Sequence, residues 1–231
     1  MSLEAYQEIF CRMVASAAFR DRVIGDPDKA LDGFDLTERE RRRLLTVASQ
    51  PGMRVNTAIH RANRLTPLDQ TLPLTCFLLG ERLRVLLDRY WLENPAENLQ
   101  APSECERFSA FLEREMLAGR VTDPYLEEVL RFERTCTQLR FFTEAELGRR
   151  GLISRGLPPL VSVVTFRHDP LQLLEALANF AMPPANIIEG EFPLLIDCRS
   201  GEVDFRLLDA AAVAAIRQAV MDESASPGPV R

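Results

Sequence analysis

The chain has 231 residues, 46 % of them hydrophobic, and a formal net charge of −6. It is long and apolar enough for one large domain or two modest ones with a true core, which excludes a chain disordered throughout. The acidic balance makes nucleic acid an unpromising partner, although a local basic patch can override the total. Lys29 is the only lysine, so nearly every cationic contact would use the bidentate guanidinium fork of arginine.

The first two thirds read as helices. Tyr6, Ile9, Phe10, Met13, Val14 and Ala17 share one helical face. Asp26-Pro27 is an N-cap followed by proline at the first helical position, with Gly33 as a stop. Thr37 and Glu40 form a capping box ahead of a helix carrying Leu44, Leu45, Val47 and Ala48. That helix also carries Arg39, Arg41, Arg42 and Arg43, and Pro51-Gly52 breaks it. Thr66-Pro67 opens the next helix, through Leu68, Leu72, Cys76 and Leu79 to Gly80. Leu83, Leu86, Leu87, Tyr90 and Trp91 follow, stopped before Pro95. Ser103 with Glu106 reads as a second capping box, leading through Phe108, Phe111, Leu112 and Met116 to Gly119. Asp123-Pro124 starts a long helix through Leu126, Val129, Leu130, Glu133 and Cys136. Residues 1–150 are therefore expected to be a helical bundle.

The pattern changes near residue 151. Residues 151–160 read as a linker, and the β-branched run from 160 to 166 as a strand. Asp169-Pro170 begins a helix with Leu171, Leu174, Leu177 and Phe180, ended by Met182-Pro183-Pro184. Residues 192–198 and 203–207 are two short strands around a hairpin-sized turn. Asp209 caps a last helix with Val213, Ile216 and Val220, and a disordered tail is expected over 222–231. The expected fold is thus α+β: an N-terminal all-α bundle, then a β-α-β-β-α domain over 151–221. A core that small is marginal alone, so it should pack on the helical part or on a partner.

The chemistry-bearing residues are sparse. Five cysteines, Cys11, Cys76, Cys105, Cys136 and Cys198, are odd in number and widely spaced, which fits neither a disulfide framework nor a zinc site. Most fall on apolar faces, where a thiol acts as a small hydrophobe, and a reducing cytosol suits them. Cys105 between Glu104 and Glu106 is a weak nucleophile candidate, because adjacent carboxylates raise a thiol pKa. Of the two histidines, His168 precedes Asp169 in a pair like that of metal phosphohydrolases, but the further histidines such a site needs are missing. His60 is expected to be a capped or hydrogen-bonded surface residue. There is no Glu-x-x-His, Walker loop, Gly-x-Gly-x-x-Gly or Gly-x-Ser-x-Gly. No catalytic constellation, metal site or cofactor is therefore expected. The segment MSLEAYQEIF lacks the regions of a signal peptide and no apolar run approaches the length of a membrane span, so a cytoplasmic, membrane-free protein is expected. Tyr90 and Trp91 are expected in the core. The Arg39–Arg43 run is either a solvated helix face interleaved with Glu38 and Glu40, or a docking patch for an acidic partner or a phosphate backbone.

A longer pattern lies between residues 54 and 133. It reads Arg54-Val55-Asn56, then Arg61-Ala62-Asn63-Arg64-Leu65, then Leu72-Pro73-Leu74-Thr75 with Leu79-Gly80, Leu83, Leu87, Tyr90 and Asn94-Pro95. It continues with Glu106-Arg107-Phe108, Phe111-Leu112 and the run from Pro124-Tyr125-Leu126 to Phe132-Glu133. This order resembles the partner-protein family of the multinuclear non-heme iron-dependent oxidative enzymes (MNIO), which modify cysteine in ribosomally made peptides. It is similar to the partner subunits of methanobactin and of 3-thiaglutamate (pearlin-type) peptide biosynthesis. The chain departs from the family's Tyr-Arg-Asn at His60-Arg61-Ala62, and its C-terminal part is more diverged.

The resemblance implies a non-catalytic subunit of a RiPP pathway, forming a heterodimer with an iron enzyme and holding a precursor peptide. The iron would belong to the partner enzyme. The C-terminal module would be a peptide-recognition-like (RRE-like) element in which a leader segment adds a strand to a sheet edge. The residues implied for this are Val161, Val163, Thr165, Leu194, Ile196, Val203 and Phe205 on the sheet, with Val213 and Ile216 on the helix from Asp209 to Val220. The surface that docks the enzyme is not identified. Two other readings stand beside this one: a plain α+β domain whose sheet edge meets only the helical part, and a DNA-binding or regulatory protein using the Arg39–Arg43 helix.

Overall fold

In the computed structural model, residues 3–94, 100–153 and 156–225 are described. Among the described residues, ten helices precede the sheet: α1 (Leu3–Ala15), α2 (Ala17–Gly25), α3 (Pro27–Ala30), α4 (Glu38–Ser49), α5 (Pro51–Thr71), α6 (Pro73–Leu79), α7 (Arg82–Glu93), α8 (Ala101–Leu117), α9 (Leu126–Phe141) and α10 (Glu144–Arg149). Then come β1 (Val161–His168), α11 (Pro170–Ala178), β2 (Glu189–Asp197), β3 (Asp204–Leu207) and α12 (Ala210–Ala225). The fold is α+β, mostly helical, with one three-stranded antiparallel sheet in the order β1-β2-β3. Among the described residues no helix is long and apolar enough to cross a membrane.

The chain divides into two compact units, Met1–Pro67 with Arg82–Leu99, and Leu68–Glu81 with Gln100–Arg231. This differs from a break at residue 151. The physical reason is that α9 packs on β1 and is packed in turn by α6 and α8, so these helices belong with the sheet.

The first unit is built on Ile9, Met13, Phe19, Val23, Leu31, Leu44, Ala48 and Met53. Its caps follow from the sequence. Asp26 accepts from the Lys29 N–H, and Thr37 and Glu40 form a full capping box. Arg64, only 1 % exposed, lies over the rings of Tyr90 and Trp91, which are themselves buried as expected. A guanidinium over an aromatic face is a stable way to bury a cation.

Two helix boundaries differ from the sequence reading. Pro51 breaks α4 as expected, but the helix it opens, α5, runs on through Pro67 to Thr71 instead of giving way to a new helix at Thr66-Pro67. The buried positions Met53, Thr57, Arg64 and Leu68 keep a helical period across that segment, and Thr66 Oγ1 donates back to the Ala62 carbonyl instead of capping a new helix. The next helix starts at Pro73 and stops at Gly80, whose φ of 51° needs a residue without Cβ. Similarly, Ser103 and Glu106 do not form the expected box. The helix starts earlier, at Ala101 with Pro102 in its first turn, and Glu106 instead pairs with Arg134 and accepts from Gln138 on α9.

In the second unit, α9 lies against the sheet. Phe132 places its ring 6.0 Å from that of Phe166 on β1 and 5.6 Å from that of Phe205 on β3. Asp169 caps α11 through the Leu171 N–H, and Asp209 accepts from the Ala212 N–H at the start of α12. Of the tail expected to be disordered, residues 222–225 are the last turn of α12, and residues 226–231 lie outside the described residues, as does Pro95.

Candidate functional site

The sheet has two edges, and its register says what each can offer. In an antiparallel pair, residues alternate between exchanging both main-chain bonds with the partner strand and pointing both groups away from it. The Leu208 N–H donates to the Pro193 carbonyl, so Arg206 and Asp204 also bond inward to β2. The main-chain groups of Phe205 and Leu207 therefore point outward, to the open side of β3. Their side chains are 45 % and 36 % exposed.

The β1 edge is closed at both ends. The Cys198 N–H donates to the Leu160 carbonyl, which turns Val161, Val163 and Thr165 outward by the same alternation, while Arg167 sits at a register shift between Phe166 and His168. The Val161 N–H is taken by the Pro158 carbonyl at 3.3 Å. At the other end, the Glu128 carboxylate on α9 accepts from the Arg167 N–H at 2.6 Å and the His168 N–H at 3.4 Å. Only Val163 and Thr165 remain along β1, between two obstructions. Such blocked ends are how a sheet protects an edge from further pairing.

The expected peptide-contact residues divide accordingly. Leu194 and Ile196 sit on the central strand and are fully buried, on the face that α9 covers. Phe205 shares that face at its open margin. Val161, Val163 and Thr165 lie on the opposite face, because side chains alternate along a strand. Val203 is half-buried just before β3, and Val213 and Ile216 are half-buried on α12. The structure therefore does not bring the set together in one groove. It leaves Phe205 and Leu207 together on the outer edge of β3, with α12 following directly in the chain. None of the described side chains of α12 is buried, although Ala210 to Ile216 are all apolar.

The other candidates have structural roles. His168 Nδ1 pairs with Glu128 Oε1, and its ring meets the edge of Tyr125 at 4.8 Å. Asp169 is committed to the α11 cap, so it and His168 serve separate contacts. Cys105 is fully buried, and burial, followed by the Glu106 charge, holds its thiol at a pKa of about 11. Burial likewise raises Cys76 and Cys136 to about 12. Nε2 of His60 is buried without a hydrogen-bond partner, contrary to expectation, and desolvation lowers the pKa of that ring. Among the described residues, no group of three or more His, Cys, Asp or Glu is placed to hold a metal ion.

The chain matches no family model and no curated protein.

Two residues whose roles the sequence reading did not assign organise this unit. Glu133, on α9, accepts from the Leu74 N–H at 2.7 Å and the Thr75 N–H at 2.8 Å. It caps α6 from another helix. The signal was present: α6 begins Leu72-Pro73, with no Ser, Thr, Asp or Asn to satisfy its first N–H groups. Glu128 does the same for the end of β1. Tyr125 adds a third tie through its hydroxyl, which donates to the Pro184 carbonyl at 2.9 Å.

Proposed function

We propose that this chain is a non-catalytic partner subunit of an MNIO-type iron enzyme. It binds that enzyme and the leader of a ribosomally made precursor peptide, and so presents a cysteine for oxidative modification. The open β3 edge carries the reading. It offers two outward residues with exposed apolar side chains, and an apolar helix with no buried described side chain follows directly in the chain; an open edge with apolar side chains is what strand addition uses. The blocks of the resemblance also support it. Within the second unit, Glu133 caps α6, Phe108, Phe111 and Leu112 are fully buried, and Glu128 fixes the end of β1. These residues belong to α9, which lies on the sheet, and to α8, which packs on α9, and Glu133 ties α6 to them.

The added strand would pair with Phe205 and Leu207 of β3, with Val213 and Ile216 supplying apolar contacts, in the manner of an RRE-like element. Tethering the leader there raises the effective concentration of the core cysteine at the partner's iron.

Two measurements test the reading. Co-expressed with an MNIO-type iron enzyme from the same genome, the chain should elute with that enzyme as a heterodimer, and separate elution at micromolar concentration would sink the proposal. Leu207→Pro removes an N–H that points away from β2, where an edge strand tolerates proline. It should weaken leader binding by about tenfold or more, while the melting temperature and the co-elution stay nearly unchanged. Unchanged leader affinity in this variant would take β3 out of the mechanism.

A further inference from the structure

The first unit carries a second surface, independent of the sheet. The first unit holds 14 basic residues against 12 acidic, whereas the second holds 14 against 22. The positive side is concentrated on α4. Arg39, Arg42, Arg43, Thr46 and Val47 line an open groove of about 590 Å³, closed on its other side by Tyr6 of α1. Arg41 is not part of it; its guanidinium donates to the Leu31 carbonyl and ties α4 to the preceding loop. Arg42 makes two exposed contacts to Glu38, donating to its carbonyl at 3.4 Å and lying 3.8 Å from its carboxylate. Among the described residues, Arg39 and Arg43 have no ion pair.

We infer that this groove docks a short acidic segment of a partner protein, in which carboxylates lie beside one apolar side chain. Arg39 and Arg43 lie one turn apart, about 6 Å along the helix, so each fork can take a separate carboxylate in bidentate fashion. Tyr6 and Val47 are half-buried against the core of this unit and form an apolar floor, with Val47 one helical turn beyond Arg43. A guest with an apolar anchor next to its carboxylates would use both features. A nucleic-acid backbone would not: it carries a phosphate charge every 1.7 Å or so of duplex and has nothing to place on Val47. The groove is too open to enclose a small molecule, which binding sites of that class do.

The experiment is fluorescence anisotropy on the full chain. The probes are a short peptide with Asp-Glu pairs on both sides of a leucine, the same peptide with serine for the leucine, and a single-stranded oligo-dT of equal charge. The leucine peptide should bind in a salt-sensitive way and more tightly than both others. Binding should fall by about tenfold or more in Arg39→Glu/Arg43→Glu. It should fall also in Thr46→Glu, which places a carboxylate in the groove and leaves every arginine intact. Oligo-dT binding as tightly as the peptide, no peptide binding, or equal affinity in the variants would each overturn the inference. All these outcomes are separate from those at Leu207, so either proposal can fail alone.

Discussion

Glu128→Ala should lower the unfolding free energy by about 3 kcal/mol, one of the two largest single-residue effects expected. The carboxylate is 3 % exposed and serves three partners at once: the Arg167 N–H, the His168 N–H and the His168 ring. Removing it leaves two main-chain donors of β1 without an acceptor beside a buried helix, and a buried unpaired donor costs more than the bond itself contributes. The loss should be local in origin. Amide exchange at Arg167 and His168 should speed up before that of β2, which is held on both sides. A double-mutant cycle with His168→Ala should show a coupling of about 1 kcal/mol or more, since the two side chains touch. Additive effects, or unchanged exchange at Arg167, would mean that the carboxylate is not what fixes this end of the sheet.

Glu133 gives the second large effect, and it depends on pH. Burial pushes its carboxyl up to about 7, against the opposing hydrogen bonds from Thr75 and Leu74. A folded-state pKa above the unfolded value of 4.5 means that the folded chain holds this proton more tightly. The corresponding stability is fully present below about pH 4.5 and is lost as the pH rises through about 7. The whole window is worth about 3 kcal/mol. Glu133→Gln keeps the shape and one acceptor but does not titrate. Denaturant melts at several pH values should therefore show the wild-type chain losing ground to the variant by that amount between pH 5 and 8. Parallel curves would show that the carboxyl titrates normally. Glu133→Ala should be destabilising at every pH, because the Leu74 and Thr75 donors then have no acceptor.

Local chemistry made much of this fold legible. Thr37 with Glu40, Asp26 before Pro27 and Asp169 before Pro170 each announce a helix start, and each side chain makes the expected bond. The β-branched run near 161 and the turn after Cys198 gave the strands within three residues. The same signals misled where a rival role existed. Ser103 and Glu106 have the spacing of a capping box, but Glu106 is claimed by Arg134, 28 residues away. Thr66-Pro67 has the look of a helix start, yet the apolar period runs through it. Thr143 with Glu146, by contrast, forms a full capping box that the sequence reading passed over.

The site was less legible than the fold. A strand's residues can be named from sequence, but which face each takes depends on register against a neighbour. That is why Val161, Val163 and Thr165 separate from Leu194 and Ile196. The roles of Glu128 and Glu133 rest on bonds to residues 39 and 58 positions away, and no local pattern carries that information.

The length of β3 limits what it can discriminate. Four residues span about 13 Å, and only two of them face outward. A guest strand gains at most four main-chain hydrogen bonds there, each contributing about 1 kcal/mol net, so the edge alone would hold it no better than millimolar. Those bonds are also blind to side-chain identity. On the proposed reading, selectivity among guests would come from side chains, those of Phe205 and Leu207 on the edge and of Val213 and Ile216 on α12, with the main chain setting only direction and register. Substitutions of these side chains should change which sequences are held, whereas loss of a main-chain donor, as in Leu207→Pro, should weaken all of them.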